Sequence, residues 1–271
     1  MLMQRVITAT VLLLCLLLVA FLFNELAFFL FIAGVSMLAA WEWAGLAGYA
    51  KKSARIRYGL LFFCILVLAE SEFPDALISV LIFSICFWFL AFVCILTYPH
   101  SSRIWDRKLL LLVVGLIVIY PTSYALLYLY NSDYFAYSFL GLFLFVGAAD
   151  TGAYFAGKSF GRHKLAASVS PNKTWEGVLG GFLSCTLISL FYSYLFHLLM
   201  EEPFPLYFAL SCPLLVSIFS VTGDLFESML KRVRDVKDSG HILPGHGGIL
   251  DRIDGVMAAT PVYLLSTVFF L

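Results

Sequence analysis

Residues 109–130 read LLLLVVGLIVIYPTSYALLYLY, twenty-two positions without one charged side chain. At the α-helical rise this run is about 33 Å long, enough to cross the hydrocarbon core of a bilayer. Working outward, comparable runs recur at Val6–Phe23, Leu26–Ala47, Ala76–Tyr98, Phe135–Gly157, Glu176–Met200, Leu206–Leu230 and Gly255–Leu271. A ninth, Tyr58–Ala69, is too short to cross unaided. It reaches the required length as Ala54–Phe73, if Arg55 and Arg57 snorkel to the interface. The expected fold is therefore all-α, a polytopic integral membrane protein with about nine transmembrane helices.

Composition agrees. Of 271 residues, 62% are hydrophobic and 13% charged, with mean hydropathy +0.96. A soluble domain carries roughly twice that charge, so a water-soluble enzyme is excluded. A disordered chain and a nucleic-acid binder are excluded too, since both need far more charge. The six cysteines, Cys15, Cys64, Cys86, Cys94, Cys185 and Cys212, lie in apolar runs without metal-ligand spacing, and read as small buried hydrophobes.

The net charge is zero, from 17 basic and 17 acidic residues. In a nine-helix arrangement every Lys and Arg falls on one side. Arg5 precedes the first span, and the other basic residues follow the second, fourth, sixth and eighth. The opposite connections hold Glu25, Glu70, Glu72, Asp75, Asp133, Glu201 and Glu202, and no basic residue. The positive-inside rule then places the N-terminus and the basic loops in the cytoplasm. This alternation requires the weak third span. The first span has no small-residue cleavage site after it and reads as a retained helix rather than a signal peptide.

Polar chemistry is confined to the second half. Asp150 and Asp224 sit inside apolar runs, each about 10–12 Å below the basic boundary. A carboxylate there is costly unless paired, hydrated or bound to a cation. Helix spacing puts Asp224, Glu227, Ser228 and Lys231 on one face, acidic in the membrane and basic at its surface. Beyond lie Arg232, Arg234, Lys237 and Asp238, then Pro244-Gly-His-Gly-Gly, then Asp251-Arg-Ile-Asp254. Glycines at 245, 247 and 248 suit a backbone nest for an anion. Oxygen ligands from Asp224, Asp251 and Asp254 form the hard set preferred by Mg2+. Ser170-Pro-Asn172-Lys173 is expected to open the seventh helix, with Ser170 as N-cap and Pro171 as first helical residue, making a phosphate site. Glu42, near the end of the second span, reads as an interfacial residue. Glu176 and Glu227 read as partners that order the basic residues.

The stretch Ser228–Asp254, SMLKRVRDVKDSGHILPGHGGILDRID, resembles the signature of the phosphatidate cytidylyltransferase (CDP-diacylglycerol synthase) family, without departure over 27 residues. Gly223–Ser228 and Ser170–Gly177 are similar to that family as well. The resemblance implies transfer of CMP from CTP to phosphatidate, dependent on Mg2+ and with room for a second cation, in a dimeric inner-membrane protein whose active site faces the cytoplasm. It implies metal binding at Asp224 and Asp251, to which the spacing adds Asp254. The catalytic candidates are Asp224, Lys231, Lys237, His246 and Asp251. Candidates for holding phosphate are Ser170, Asn172, Lys173, Arg232, Gly247, Gly248 and Arg252. Residues 1–130 would then be a scaffold contacting lipid or a second copy, and residues 131–271 the catalytic part. Two other readings stay open: a different CTP-using lipid kinase or cytidylyltransferase, and an ion-coupled transporter with Asp150 and Asp224 on its path.

Overall fold

The computed structural model describes residues 2–72, 76–201, 206–243, 245 and 247–270. The helices are α1 (Leu2–Leu22), α2 (Glu25–Leu46), α3 (Lys52–Glu72), α4 (Leu77–Leu96), the short α5 (Ser102–Trp105), α6 (Lys108–Tyr130) and α7 (Phe135–Phe160). A hairpin of β1 (Lys164–Ala166) and β2 (Ser170–Thr174) follows, then α8 (Trp175–Met200), α9 (Leu206–Val233) and α10 (Leu250–Phe270). The protein is an all-α integral membrane protein carrying one small antiparallel hairpin. Among the described residues, six helices, α2, α4, α6, α7, α8 and α9, are long and apolar enough to cross a membrane. Helices α3 and α10 have 21 residues each, but charged ends lower their hydropathy: Lys52, Arg55 and Arg57 in α3, and Asp251, Arg252 and Asp254 in α10.

The hairpin corrects the sequence reading of residues 170–174. Ser170 and Pro171 lie in a strand, and α8 begins later, at Trp175. Its N-cap is Thr174, whose hydroxyl accepts the Gly177 N–H at 3.1 Å. Lys173 therefore projects from an extended strand rather than a first helical turn.

Helix α6 runs through the middle, packed on α2, α4 and α10. One core cluster joins Trp43 of α2, Trp88 of α4, Val118 of α6, Phe226 of α9 and Met257 of α10. The core thus crosses residue 130 freely. Helices α7 and α8 share the most extensive contact in the protein. Small residues allow it: a side chain at Gly181 would meet the Ala149 carbonyl, and one at Gly180 would strike Ala156. The outer face of α8 is a row of exposed apolar residues, Leu179, Leu183, Leu187, Phe191 and Leu198, at helical spacing. Cys94, Cys185 and Cys212 are buried, whereas Cys15, Cys64 and Cys86 face outward from the bundle.

Arg234, just past α9, ties three segments together. Its Nε donates to the Leu46 carbonyl at 2.8 Å and its Nη2 to the Ala47 and Asp106 carbonyls at 3.1 Å. Its Nη1 reaches Asp106 Oδ1 at 2.7 Å. Leu46 and Ala47 end α2, where carbonyls lack helical partners, so the guanidinium caps α2 from a distance. Arg234→Ala is expected to cost about 1.5–3 kcal/mol, the range for hydrogen bonds to a charged group. The exposed Asp106 pair adds little. A thermal melt of the detergent-purified variant that overlays the parent would contradict this.

Candidate active site

Helices α7, α8, α9 and α10 and the hairpin enclose a cavity of about 780 Å³. Eight of the catalytic, phosphate and metal candidates line it: Ser170, Asn172, Lys173, Asp224, Lys231, Asp251, Arg252 and Asp254. Asp150, Tyr154, Lys158, Lys164 and Asp238 join them. Close helix contacts set the acids near one another. A side chain at Gly223 would collide with the Asp254 carbonyl, and one at Gly255 would meet Ser220 Oγ at 2.5 Å. The α9–α10 crossing is therefore tight where Asp224 and Asp254 flank it. Ser220 Oγ also donates to Asp150 Oδ1 at 3.2 Å, linking α9 to α7.

Asp150, Asp224 and Asp251 each have a lysine or a hydroxyl partner, whereas Asp254 accepts the Gly255 N–H at 2.7 Å. Lys173 Nζ is 2.5 Å from Asp224 Oδ2, and Ser228 Oγ donates to Asp224 Oδ1 at 3.3 Å. Lys231 Nζ is 2.6 Å from Asp251 Oδ1 and 3.6 Å from Glu227 Oε1. These three side chains are buried, at 13% exposure for Lys231, 6% for Asp251 and 1% for Glu227. An isolated charge at such depth would cost several kcal/mol. The single lysine therefore serves two carboxylates at once.

Asp251 is the hub of the loop before α10. Its Oδ2 accepts from Ser239 N at 3.0 Å, Ser239 Oγ at 3.0 Å and Gly248 N at 2.8 Å. The expected glycine nest is present in part, with positive φ at Gly245 (77°) and Gly247 (81°). One of its N–H groups, that of Gly248, donates to the protein's own Asp251 carboxylate at 2.8 Å and in this structure does not face the cavity. Gly247 pairs with Leu243, whose N–H donates to the Gly247 carbonyl at 2.9 Å. Neither glycine lines the cavity.

Arg232 also departs from expectation: its Nε donates to the Val169 carbonyl at 3.3 Å, bracing the hairpin turn rather than lining the cavity. Lys237 is exposed and stands outside the cavity lining. His246 lies outside the described residues. Glu176 orders the approach to the hairpin, accepting Arg162 N at 3.1 Å and meeting His163 Nδ1 at 2.6 Å. Glu42 corrects the sequence reading most sharply. It is fully buried inside the protein, and its Oε2 accepts the Leu250 N–H at 3.0 Å. No signal within its own segment, Trp41-Glu42-Trp43, could have shown this.

The carboxylates offer only oxygen donors, the set suited to a hard divalent cation. Asp224, Asp251 and Asp254 share one cavity, so their chemistry fits Mg2+. Among the described residues no group of three or more such side chains already converges as a ligand shell. Lysines hold the carboxylates in the places where a cation would compete.

Comparison with known proteins gives the same direction. The sequence matches the profile of the Cytidylyltransferase family over residues 3–270. It is 42% identical over 263 residues to the Pseudomonas aeruginosa protein named phosphatidate cytidylyltransferase, covering 97% of this chain and 96% of that one. The Haemophilus influenzae protein of the same name is 37% identical over 283 residues, 97% of each chain. A Bacillus subtilis protein so named is 48% identical over 125 residues, 46% of this chain and 45% of that one. With its profile match and two of these relatives spanning it almost end to end, the chain belongs to the cytidylyltransferase family.

Proposed function

We propose that this protein is a phosphatidate cytidylyltransferase: it transfers CMP from CTP to phosphatidate, giving CDP-diacylglycerol and pyrophosphate for phospholipid synthesis. The observation that carries this is a single cavity gathering Lys173, Asp224, Lys231, Asp251, Arg252 and Asp254, in a chain related over its whole length to proteins of that name.

A phosphatidate oxygen attacks the α-phosphorus of CTP. A new P–O bond forms on one side, the bond to the β-phosphate bridge breaks on the other, and pyrophosphate leaves with the electron pair. Such a reaction asks the protein for positioning and charge neutralisation more than for covalent help. Lys173, Lys231 and Arg252 bind and neutralise the phosphates. Ser170 and Asn172, on the rim formed by β2, supply neutral donors. Asp224, Asp251 and Asp254 would hold Mg2+, which supplies electrostatic stabilisation to the attacking and leaving oxygens. Lys173 and Lys231, which pair with Asp224 and Asp251, are the ammonium groups placed to meet phosphate, while the two carboxylates would be the ones to hold a metal.

The membrane setting follows from the charges. The chain crosses nine times with its N-terminus in the cytoplasm, counting α1, α3 and α10 with the other six apolar helices. The cavity opens to the cytoplasmic face of the inner membrane, where a soluble nucleotide meets a lipid phosphate. Residues 1–130 act mainly as scaffold and residues 131–271 carry the chemistry, in a homodimer.

The test is purified protein with CTP, phosphatidate and Mg2+. Label from the α-phosphate or cytidine of CTP is expected in the lipid, with stoichiometric pyrophosphate. Label entering lipid from the γ-phosphate instead would make the protein a kinase and overturn the reading.

A further inference from the structure

Glu42 has no place in the reaction as described, yet the loop that presents Asp251 is wrapped around it. The residue comes from α2, some two hundred positions earlier in the chain, and its side chain is fully buried. Its Oε2 accepts the N–H of Leu250, the residue immediately before Asp251, at 3.0 Å. The same oxygen lies 3.3 Å from Ser239 Oγ, which is 3.0 Å from Asp251 Oδ2. One carboxylate thus fixes both strands of the loop, at Ser239 and at the first turn of α10. A negative charge against the free N–H groups of a helix start is also the favourable sign.

Two glycines report how close this approach is. A side chain at Gly240 would collide with the Glu42 carboxylate, and one at Gly248 would strike both Ser239 Oγ and Glu42 Oε2. Both glycines lie within the 27-residue stretch Ser228–Asp254. Neither lines the cavity. Their spacing is explained by a residue outside the signature altogether.

We propose that Glu42 is a positioning residue for CMP transfer, holding Ser239 and the start of α10 so that Asp251 and Lys231 keep their place in the cavity. The inference rests on the function proposed above. Groups that orient a reacting residue, rather than touch substrate, cost about 10- to 100-fold when removed.

The experiment compares steady-state kinetics of purified Glu42→Ala, Glu42→Gln and Ser239→Ala with the parent, beside Ser36→Ala as a buried control on the same helix. Glu42→Ala is expected to lower kcat about 10- to 100-fold per folded molecule, with KM for CTP little changed. Glu42→Gln, which keeps an accepting oxygen, recovers most of that loss. Adding Ser239→Ala to Glu42→Ala lowers kcat less than Ser239→Ala does alone, because both cut one linkage. A folded Glu42→Ala with parental kcat overturns the proposal. So does a loss of activity that merely follows the fraction unfolded. Where Glu42→Ala cannot be recovered folded, Ser239→Ala carries the test, and a parental kcat there overturns it equally. Absence of transfer by the parent itself is a different result, overturning the assigned function and the inference with it.

Discussion

Asp224→Asn is expected to lower CMP transfer by at least about 10²–10³-fold, the effect of removing one preorganised charge-stabilising group, while leaving the protein folded. The substitution keeps the side chain's shape and its contact with Ser228. What it removes is the negative charge that meets Lys173 at 2.5 Å and faces the cavity. The Asp224 side chain is 38% exposed, so the loss of that pair changes stability by no more than about 1 kcal/mol. Activity and stability should therefore separate cleanly. Raising Mg2+ recovers part of the rate only if the neutral amide still holds a cation weakly. Near-parental transfer by Asp224→Asn at saturating Mg2+ would remove this residue from the metal site.

Lys231→Met should do the opposite and damage both. Its ammonium lies between Asp251 at 2.6 Å and Glu227 at 3.6 Å, and all three side chains are buried. Removing one partner of a buried pair typically costs about 3–5 kcal/mol, because the charge left behind is unpaired. Here two carboxylates are left. The expected result is a large fall in melting temperature and loss of transfer. Adding Glu227→Gln removes one stranded buried acid, so the double variant should regain part of the stability. It should regain none of the activity, because the cation for the substrate phosphates is still missing. Recovery of transfer in the double variant would mean that Lys231 acts only to balance Glu227.

The difference between these two lysine-bound acids marks how far the sequence could be read. Asp224, Ser228 and Lys231 share a helical face, and period alone predicts that they meet the same side of α9. Asp251 and Asp254 follow by the same spacing in α10. Apolar runs of this length likewise locate the helices, since a helix satisfies its backbone hydrogen bonds within its own segment inside lipid. Two features were hidden for definite physical reasons. The strand at Ser170–Thr174 is short, and Ser170-Pro171 is as good a helix start as it is a strand. Only the pairing of Lys164 with Thr174 decides. The role of Glu42 depends on a contact with Leu250 across the bundle, and no local periodicity encodes such a distance. The glycine loop shows a third limit: residue types revealed an anion nest, but not that Asp251 would accept one of its N–H groups.

The cavity lining has a bookkeeping of its own. Lys158, Lys164, Lys173, Lys231 and Arg252 stand against Asp150, Asp224, Asp238, Asp251 and Asp254, five cations to five carboxylates. Counted by formal charge, the lining is balanced before anything enters. Both proposed substrates are anions, and a phosphomonoester alone carries about −1.5 to −2 at neutral pH. Admitting them into a neutral, partly enclosed space creates a large charge excess unless positive charge comes too. Nucleotide binding must then be coupled to the uptake of countercharge, as cations on the phosphates or protons on the acids. On the proposed function the cavity would act as an ion exchanger, its lysines turning from carboxylate to phosphate and its carboxylates taking the incoming positive charge in return.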